Sequence, residues 1–367
     1  MEKSKTEASA AAAAADDLDP HHDTANEPIT VQSIYRTLSD LMPGLLLCAT
    51  IAMAATFLSQ QYSAPVMLFA LLIGMALHPL LEKSTLVPGV QLASRTILKV
   101  GVALLGVRIT TGEVYALGPI PVGLAVFGVS LSILAGCLMA QLSGRTRSFG
   151  ILTGGAVGIC GASAALALSS VLPKGKHGVR ESDVIFTVLA VTTLSTVAMV
   201  LYPIVSHALG LSNREAGIFI GATVHDVAQV VGAGYSVSAE TGDVATVTKL
   251  FRVALLVPVI GAIAYFMVDG AKTKSVRQPR DLLACVPPFL IAFVALVLLN
   301  SLGAIPTFAS NTLSDVSKWC LVIAISGLGL KTSVREIGDL GPGALAMVVS
   351  QTVLLMSFAI CVILWFG

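Results

Sequence analysis

The stretch from Thr153 to Ser163 has residue types that could bind a ligand. It reads Thr-Gly-Gly-Ala-Val-Gly-Ile-Cys-Gly-Ala-Ser and contains four glycines. Each glycine weakens a helix interior by about 1 kcal/mol relative to alanine, so the stretch predicts an unwound break. A helix restarting there would direct free N–H groups and its positive dipole end at an anion. We therefore predict an anion cradle, with close packing of small residues as the alternative; the cradle residues are Gly158, Cys160, Gly161, Ala162 and Ser163.

A second group of chemically capable residues lies between Gly217 and Gly234. His225, Asp226 and Gln229 interrupt an otherwise apolar span. An ionisable group costs at least about 2.5 kcal/mol at such a depth, so it usually faces a pathway or a partner. His225 and Gln229 are four residues apart and would share a helix face if the helix is unbroken. Both are predicted to contact the substrate. His225 and Asp226 are candidates for proton coupling or counter-charge, and a buried pair that pins two helices is the alternative.

Three basic residues could supply the positive charge that an anion needs. Lys99 lies in the middle of an apolar segment, whereas Lys249 and Arg252 share a helix face near the start of another. We predict that all three act as coupling or counter-charge residues. Snorkelling of the long side chains to the membrane surface is the alternative for Lys249 and Arg252.

The composition of the chain defines the elements that must position these residues. Of 367 residues, 55% are apolar and 12% are charged, and the mean hydropathy is +0.86. A soluble domain carries roughly 25% charged residues. The composition therefore excludes a soluble enzyme, a nucleic-acid-binding protein and a disordered protein, and it predicts an all-α polytopic membrane protein. The residue pattern predicts neither enzyme activity nor a metal or cofactor.

Apolar segments long enough for membrane helices recur along the chain, because a span needs about 20 mostly apolar residues. We predict 9–11 transmembrane helices from the segments 41–59, 64–81, 90–107, 119–142, 149–172, 183–206, 214–237, 248–268, 282–302, 317–330 and 341–366. The segments 149–172 and 214–237 are predicted to be broken, near Gly158–Gly161 and near His225. They either cross completely or are re-entrant, and re-entrant segments concentrate Lys and Arg more strongly on the cytoplasmic side. Both arrangements place the N-terminus in the cytoplasm and the C-terminus outside.

The chain divides into two regions of different composition. Residues 1–40 contain an alanine run and the acidic stretch Asp16 to Asp23, which predict a disordered cytoplasmic tail. Residues 41–367 are predicted to form the transmembrane domain.

An internal repeat relates Ser94–Pro119 to Ser317–Pro342 at an offset of 223 residues. The matches include Glu113 with Glu336 and Arg108 with Lys331. Because an odd number of crossings separates the copies, we predict an inverted repeat that relates residues 94–142 to 317–366. Inverted repeats are typical of secondary transporters, and a pseudo-symmetric channel is the alternative.

Three motifs in order resemble a known family. They are Gly158-Ile-Cys-Gly-Ala-Ser-Ala164, His225-Asp-Val-Ala-Gln-Val-Val231 and Lys249-Leu-Phe-Arg-Val253, and Lys99-Val-Gly-Val-Ala-Leu-Leu-Gly106 fits as well. Together they resemble the sulfate exporter family, long catalogued as uncharacterised bacterial inner-membrane proteins, over roughly residues 40–367. The resemblance implies export of sulfate or sulfite and a distant relationship to cation–proton antiporters with inverted repeats. The chain departs from the family in its long tail and at Gly158, where a small polar residue is expected.

The sequence therefore predicts a secondary transporter that exports sulfate or sulfite across a bacterial inner membrane, with proton coupling left open. Its expected partners are a small inorganic anion and the lipid bilayer, without nucleic acid, and a homo-oligomer is also left open. The alternative is a sodium–proton antiporter that uses Asp226 as the cation ligand. The sequence disfavours it, because Asp226 is the one acidic residue placed deep in an apolar segment.

Overall fold

Helices make up nearly all of the computed structural model, which describes residues 31–62, 65–82, 84–175, 178–267, 287–332 and 342–366. A π-helical turn (Ala93–Ile97) joins the third and fourth helices. The helices are α1 (Val31–Tyr62), α2 (Val66–Ala76), α3 (Val87–Leu92), α4 (Leu98–Leu105), α5 (Thr111–Ala116), α6 (Ile120–Leu142), α7 (Arg147–Gly158), α8 (Ala162–Val171), α9 (Glu181–Ala208), α10 (Asn213–Thr223), α11 (Val227–Val237), α12 (Ala239–Ala254), α13 (Leu256–Met267), α14 (Pro288–Ser301), α15 (Thr307–Lys331) and α16 (Pro342–Phe366).

The predicted all-α polytopic membrane fold is confirmed. Within the described residues, 6 helices are long and apolar enough to cross a membrane. They are Ser39–Tyr62, Ile120–Leu142, Glu181–Ala208, Ala239–Ile263, Thr307–Lys331 and Ala344–Phe366. Shorter apolar helices, including α2, α8, α11 and α14, lie between them.

One end of the helix bundle, here called the N-terminal face, carries both ends of the pair α7–α8. Thr146, just before α7, donates from Oγ1 to the carbonyl oxygen of Gly178, 3.3 Å away. Arg145 lies 3.9 Å from the carboxylate of Asp183 at the start of α9. Because the chain enters and leaves α7–α8 at the same face, this pair is a re-entrant hairpin.

The other end, the C-terminal face, carries both ends of the pair α10–α11. Thr241, just after α11, donates from Oγ1 to the carbonyl oxygen of Asn213 at 3.0 Å. Arg214 donates to the carbonyl oxygen of Ala116 at 2.6 Å, which places the start of α10 beside the end of α5. The two broken segments are therefore hairpins that enter the helix bundle from opposite ends, as the re-entrant arrangement predicts.

The two copies of the predicted repeat run in opposite directions. Ser317 at the α15 midpoint donates to the carbonyl oxygen of Gly101 at 2.8 Å, while Gly327 further along α15 packs against Ala93. Helix α15 is thus antiparallel to α3–α4. The packing of Gly128 against Leu355 and the shared cluster of Ala140 and Ala344 make α16 antiparallel to α6. The matched positions Glu336 and Gly341 lie outside the described residues.

Several helices begin earlier than their apolar segments. Helix α1 already includes Val31, ahead of the predicted start near residue 41, and α15 begins at Thr307 rather than 317. Helix α12 begins at Ala239, where the side chain of Ser238 accepts from the N–H of Thr241 at 3.0 Å. These first turns are polar, so hydropathy alone cannot locate them, although capping stabilises the last of them.

Glycine contacts hold the first hairpin close to α6. A Cβ atom on Gly150 of α7 would lie 2.4 Å from the carbonyl oxygen of Gly136 of α6, and one on Gly154 would lie 2.3 Å from that of Ser132. Only residues without a Cβ permit backbones to approach so closely, as in membrane helix pairs with small residues at the contact. This contact fixes where the hairpin break lies in the bundle.

Candidate functional site

The breaks of the two hairpins meet in the interior of the protein. Helix α7 ends at Gly158 and α8 begins at Ala162, while α10 ends at Thr223 and α11 begins at Val227. Gly161, which has the left-handed φ of 66°, turns the chain between α7 and α8. A Cβ atom on Gly161 would lie 3.7 Å from the carbonyl oxygen of His225, so the two breaks are neighbours. The predicted breaks near Gly158–Gly161 and near His225 are both present.

Lys249 of α12 joins the two breaks through its ammonium group. Its side chain is fully buried. The Nζ atom donates to the carbonyl oxygen of Ile159 at 2.7 Å and to that of Val224 at 2.9 Å. Ile159 and Val224 are the C-cap residues that directly follow α7 and α10. Lys249 therefore binds the C-terminal ends of both half-helices at equivalent positions.

Arg252, one turn further along α12, repeats this arrangement with its guanidinium group. It is 1% exposed. On the first hairpin it donates to the carbonyl oxygens of Val157 and Gly158, both at 2.7 Å. On the second hairpin it donates to the carbonyl oxygen of Ala222 at 2.6 Å. These contacts satisfy carbonyl groups that a helix end leaves without partners.

The charges at the breaks leave the centre positive. A helix end carries roughly half an elementary charge, negative at the C-terminus and positive at the N-terminus. Two half-helices end and two begin at the breaks, so these four contributions approximately cancel. What remains is two buried cations against the single carboxylate of Asp226. Neither Lys249 nor Arg252 forms an ion pair with an acidic residue in the described part of the chain.

The two half-helices that begin at the breaks have different N-termini. The N-terminus of α11 is capped by Asp226, whose Oδ1 accepts from the N–H of Ala228 at 2.8 Å. The N-terminus of α8 follows Gly161 and has no side-chain cap. Here Ala162 is half-buried and Ser163 is exposed. The uncapped N–H groups of α8 and the hydroxyl of Ser163 can therefore receive an anion, whereas Asp226 already occupies the equivalent place on α11.

His225 connects the second break to α7 and α16. Its ring is fully buried; Nδ1 lies 3.2 Å from the carbonyl oxygen of Val157, and Nε2 lies 3.0 Å from Oγ1 of Thr352. A carbonyl only accepts, so Nδ1 carries a proton. Thr352 also lies within 2.9 Å of the carbonyl oxygen of Val348. The hydroxyl can thus donate to a neutral Nε2 or, after turning toward Val348, accept from a protonated one.

His225 and Gln229 would share a helix face only in an unbroken helix, and the predicted break near His225 removes that condition. The break between Thr223 and Val227 puts His225 outside the helix, while Gln229 lies in the first turn of α11. Gln229 is nevertheless 3% exposed, and its Oε1 has no hydrogen-bond partner among the described residues. Its amide remains a candidate for contact with a bound group at the break.

Other predicted residues are distributed unevenly around the break. Gly158 contributes its carbonyl oxygen to Arg252 and packs against Ser132 of α6, which fits a residue without a Cβ. Cys160 is 5% exposed and lies in the turn between α7 and α8. Lys99 is exposed on the surface of α4 and makes none of the described contacts with the break. The structure thus brings together all the predicted residues except Lys99.

A polar group on α16 was missed by the sequence reasoning. Gln351 is fully buried and donates from Nε2 to Oγ1 of Thr153 at 3.2 Å, next to the contact of Thr352 with His225. The signal was present, because Gln351 and Thr352 are adjacent polar residues inside the apolar segment 341–366. Their facing partners belong to α7 and to the second break, and only the fold shows that proximity.

Comparison with known proteins identifies related chains along most of this length. Residues 43–348 match the family described as Conserved hypothetical protein 698. A UPF0324 membrane protein of Chlorobaculum tepidum is 50% identical over 336 residues, which is 91% of this chain and 92% of that protein. The UPF0324 membrane protein TauZ of Paracoccus pantotrophus is 46% identical over 322 residues, covering 88% and 94% of the two chains. A UPF0324 membrane protein of Rhizobium meliloti is 44% identical over 340 residues, covering 92% and 96%. No solved structure matches significantly.

Proposed function

The chain belongs to the family of membrane proteins described as Conserved hypothetical protein 698, and from that starting point we propose that it is a secondary transporter of a small inorganic oxyanion. The proposed substrate is sulfate or sulfite, exported across a bacterial inner membrane. The N-terminus lies in the cytoplasm in this proposal and the C-terminus outside.

The observation that carries the proposal is the buried pair of cations at the meeting point of the hairpins. A charged side chain in a membrane interior is costly and usually marks a transport pathway. Lys249 and Arg252 donate their hydrogen bonds to helix carbonyls rather than to acidic side chains. Their charge is therefore available to an anion, and it would repel a cation.

The donors for the anion come from the first hairpin. Broken helices of transporters direct their N-terminal ends at anionic groups of the substrate. Here the N–H groups that begin α8 are uncapped, and Ser163 adds a hydroxyl to them. Lys249 uses two of its three N–H groups on Ile159 and Val224, so the third can reach a substrate in the same break. Sulfate and sulfite, which only accept when fully ionised, suit this set of donors.

The sodium–proton antiporter predicts a different site, centred on Asp226. In the structure that carboxylate caps α11 and lies in the electrostatic field of Lys249, Lys331 and Arg95. A positive surrounding of this kind favours an anion over a sodium ion. Asp226 therefore fits the role of an internal counter-charge better than that of a cation ligand.

Calorimetric binding of sulfate and sulfite to the purified protein tests the proposal. Ser163→Ala removes one hydrogen bond to a charged partner, worth about 1.5–3 kcal/mol, so the affinity should fall roughly ten- to a hundredfold. Ser170→Ala is the matched control, because Ser170 is an exposed serine near the other end of α8. It should bind the anions like the parent protein.

Asp226→Asn separates the two functions in the same assay. The oxyanion transporter keeps its binding in this variant, although coupling or folding can suffer. The antiporter instead needs Asp226 and not Ser163. Normal sulfate binding by Ser163→Ala, together with a folded but inactive Asp226→Asn, would reject the anion site. Currents recorded on solid-supported membranes after sulfate, sulfite, chloride and sodium jumps at several pH values then identify the transported ion.

A further inference from the structure

A cluster of polar side chains lies at the C-terminal face, away from the breaks. Arg108, which follows α4, lies with its Nη2 3.3 Å from Oδ2 of Asp243 on α12. The hydroxyl of Tyr235, near the end of α11, donates to the other carboxylate oxygen, Oδ1. The side chains of Arg108 and Asp243 are 27% and 24% exposed. Both oxygens of this carboxylate are thus held by donors, at a place that solvent reaches.

Charges from two further elements surround this cluster. The carboxylate of Asp243 interacts electrostatically with Lys318 of α15 and with Glu113 of α5, besides Arg108. Lys318 itself forms an exposed ion pair with Asp315 at 3.2 Å. The cluster therefore holds two basic side chains and a hydroxyl donor directed at or near one carboxylate.

The inverted repeat places a matching basic pair at the other end of the molecule. The offset of 223 residues relates Arg108 to Lys331, and it also relates Arg95 to Lys318. Because α15 runs antiparallel to α3–α4, Arg108 and Lys318 lie toward the C-terminal face, while Arg95 and Lys331 lie toward the N-terminal face. Arg95 and Lys331 both interact electrostatically with Asp226 at the second break. Each basic pair therefore faces a carboxylate of the α10–α12 region.

A purely structural role explains this duplication poorly. A partly exposed ion pair stabilises a fold only slightly, whereas basic residues in membrane segments are costly. The donors around Asp243 also resemble an oxyanion site, since a guanidinium and a hydroxyl bind separate oxygens of one planar anion. The repeat therefore supplies a basic pair at each face. Tyr235 and Asp243 lie on α11 and α12, outside the repeat.

We propose that Arg108, Lys318 and Tyr235 form a second oxyanion-binding site at the C-terminal face, in which the carboxylate of Asp243 holds the place of the anion until substrate displaces it. Arg95 and Lys331 form the related site at the N-terminal face. The proposal rests on the proposed function, because these sites would hold the same sulfate or sulfite before and after it occupies the central break. Because the carboxylate of Asp243 competes with the substrate for the same donors, the second oxyanion site would bind the anion weakly enough to release it.

Sulfate binding to purified Asp243→Asn tests this site without requiring transport. The variant is made in a Ser163→Ala background, so that the central site contributes little. Releasing the donors from their internal carboxylate should strengthen sulfate binding by about tenfold or more, the effect of one charge-assisted hydrogen bond. Arg108→Gln added to the same protein should remove the gain. Glu240→Gln is the matched control, because Glu240 is an exposed acid on the same helix α12 that accepts from the amide of Asn213; it should leave sulfate binding unchanged.

Equal sulfate binding with and without Asp243→Asn would overturn the proposal, as would a gain that survives Arg108→Gln. Asp243→Ser provides the same test if the asparagine variant folds poorly. Because the gain is read at the second oxyanion site, it is expected even if the central break binds no anion. If the parent protein does not bind sulfate but the Asp243→Asn variant does, the proposed function is rejected and the second oxyanion site is retained.

Proteoliposomes give an independent measurement of which face each pair serves. Arg108→Gln should raise the half-saturating sulfate concentration at the C-terminal face several-fold and leave that at the N-terminal face near the parent value. Arg95→Gln should do the reverse. Equal effects of both variants at both faces, or no effect of either, would contradict a pair of sites that serve opposite faces.

Discussion

At the scale of single residues, Lys249 and Arg252 hold the two hairpins together. Each donates to carbonyl oxygens on both half-helices that end at the breaks. A buried charge is tolerated when hydrogen bonds and opposing dipoles compensate its desolvation. Here the compensation comes from helix ends rather than from acids, which leaves the pair able to attract an anion. Under the proposed function, stability and substrate binding would thus depend on the same two side chains.

Removing Arg252 should destabilise the protein more than removing Lys249. Arg252→Met leaves the carbonyls of Val157, Gly158 and Ala222 without this donor, and an unpaired buried polar group costs about 1–3 kcal/mol. Lys249→Met affects two carbonyls and should lower the Tm in detergent by less. Lys99→Met is the control, because Lys99 is exposed, and its Tm and sulfate affinity should stay at the parent values. A loss of sulfate binding in Lys99→Met would return that residue to the site.

His225 is the predicted carrier of a coupling proton. Its Nε2 faces Thr352, whose hydroxyl can serve either protonation state, while Nδ1 stays on Val157. The charges that act on the ring are those of Arg252 and Lys249. His225→Gln should flatten the pH dependence of sulfate uptake into inverted vesicles, since glutamine does not titrate. Thr352→Val should change the same pH profile, because valine can neither donate to Nε2 nor accept from it.

The matched control for this pH measurement is Thr312→Val. Thr312 is an exposed threonine whose hydroxyl bonds only within its own helix, to Phe308. An unchanged pH profile in folded His225→Gln would remove the proton role from this residue. It would leave His225 as a buried link between the second break and α16.

The sequence identified most residues of the candidate site, but it did not identify the residues that they contact. Glycine density located the break at Gly161, and the cost of burying ionisable groups singled out His225 and Asp226. The sequence did not show that Asp226 caps α11, because that requires the helix to restart one residue later. It also favoured Lys99 over Lys249, because snorkelling explains a lysine near the start of a segment more easily than one in its middle. Only the packing of α12 between the hairpins distinguishes the buried lysine from the exposed one.

Glycines determine the packing of α6 and α7 at the scale of helices. Gly136→Ala would place a Cβ atom 2.3 Å from the carbonyl oxygen of Gly150, so the two helices must separate. We expect a lower Tm and weaker sulfate binding, because α7 carries the carbonyls that Arg252 and Lys249 bind. Gly123→Ala lies on the same helix α6 with nothing within 4 Å of its Cβ position. It should be neutral or more stable by up to about 1 kcal/mol, the helix preference of alanine over glycine.

Equal melting of the two alanine variants would show that the α6–α7 contact is looser than the structure has it. Thermal unfolding in one detergent compares them directly, since both change a glycine of α6 to alanine.

The helices themselves were largely predictable, because their apolar segments are long. Their first turns were not, as the polar start of α15 from Thr307 shows.

At the scale of the whole molecule, two inversions are combined. Helices α3–α4 and α6 are antiparallel to α15 and α16, and the hairpins α7–α8 and α10–α11 enter from opposite faces. The sequence showed the first inversion through its 223-residue offset. It left the second inversion open, with only the Lys and Arg distribution in its favour. The half-helices share their geometry but few residues, and Gly161 occupies the position in one hairpin that Asp226 occupies in the other. An uncapped helix start therefore faces a capped one across the break.

Site-directed labelling from each side of the membrane tests this topology. In a background without the native cysteines, Ser143→Cys and Lys174→Cys flank the first hairpin, and Asn213→Cys and Ala239→Cys flank the second; all four positions are exposed. Re-entrant hairpins place Ser143 and Lys174 on one side and the other two positions on the opposite side. Complete crossings would instead separate Ser143 from Lys174. Because basic loops favour the cytoplasm, an impermeant maleimide applied outside should label residues 213 and 239 but not 143 and 174. Labelling of Ser143→Cys and Lys174→Cys from different sides would contradict the re-entrant hairpin, and with it the meeting of two half-helix ends at Lys249.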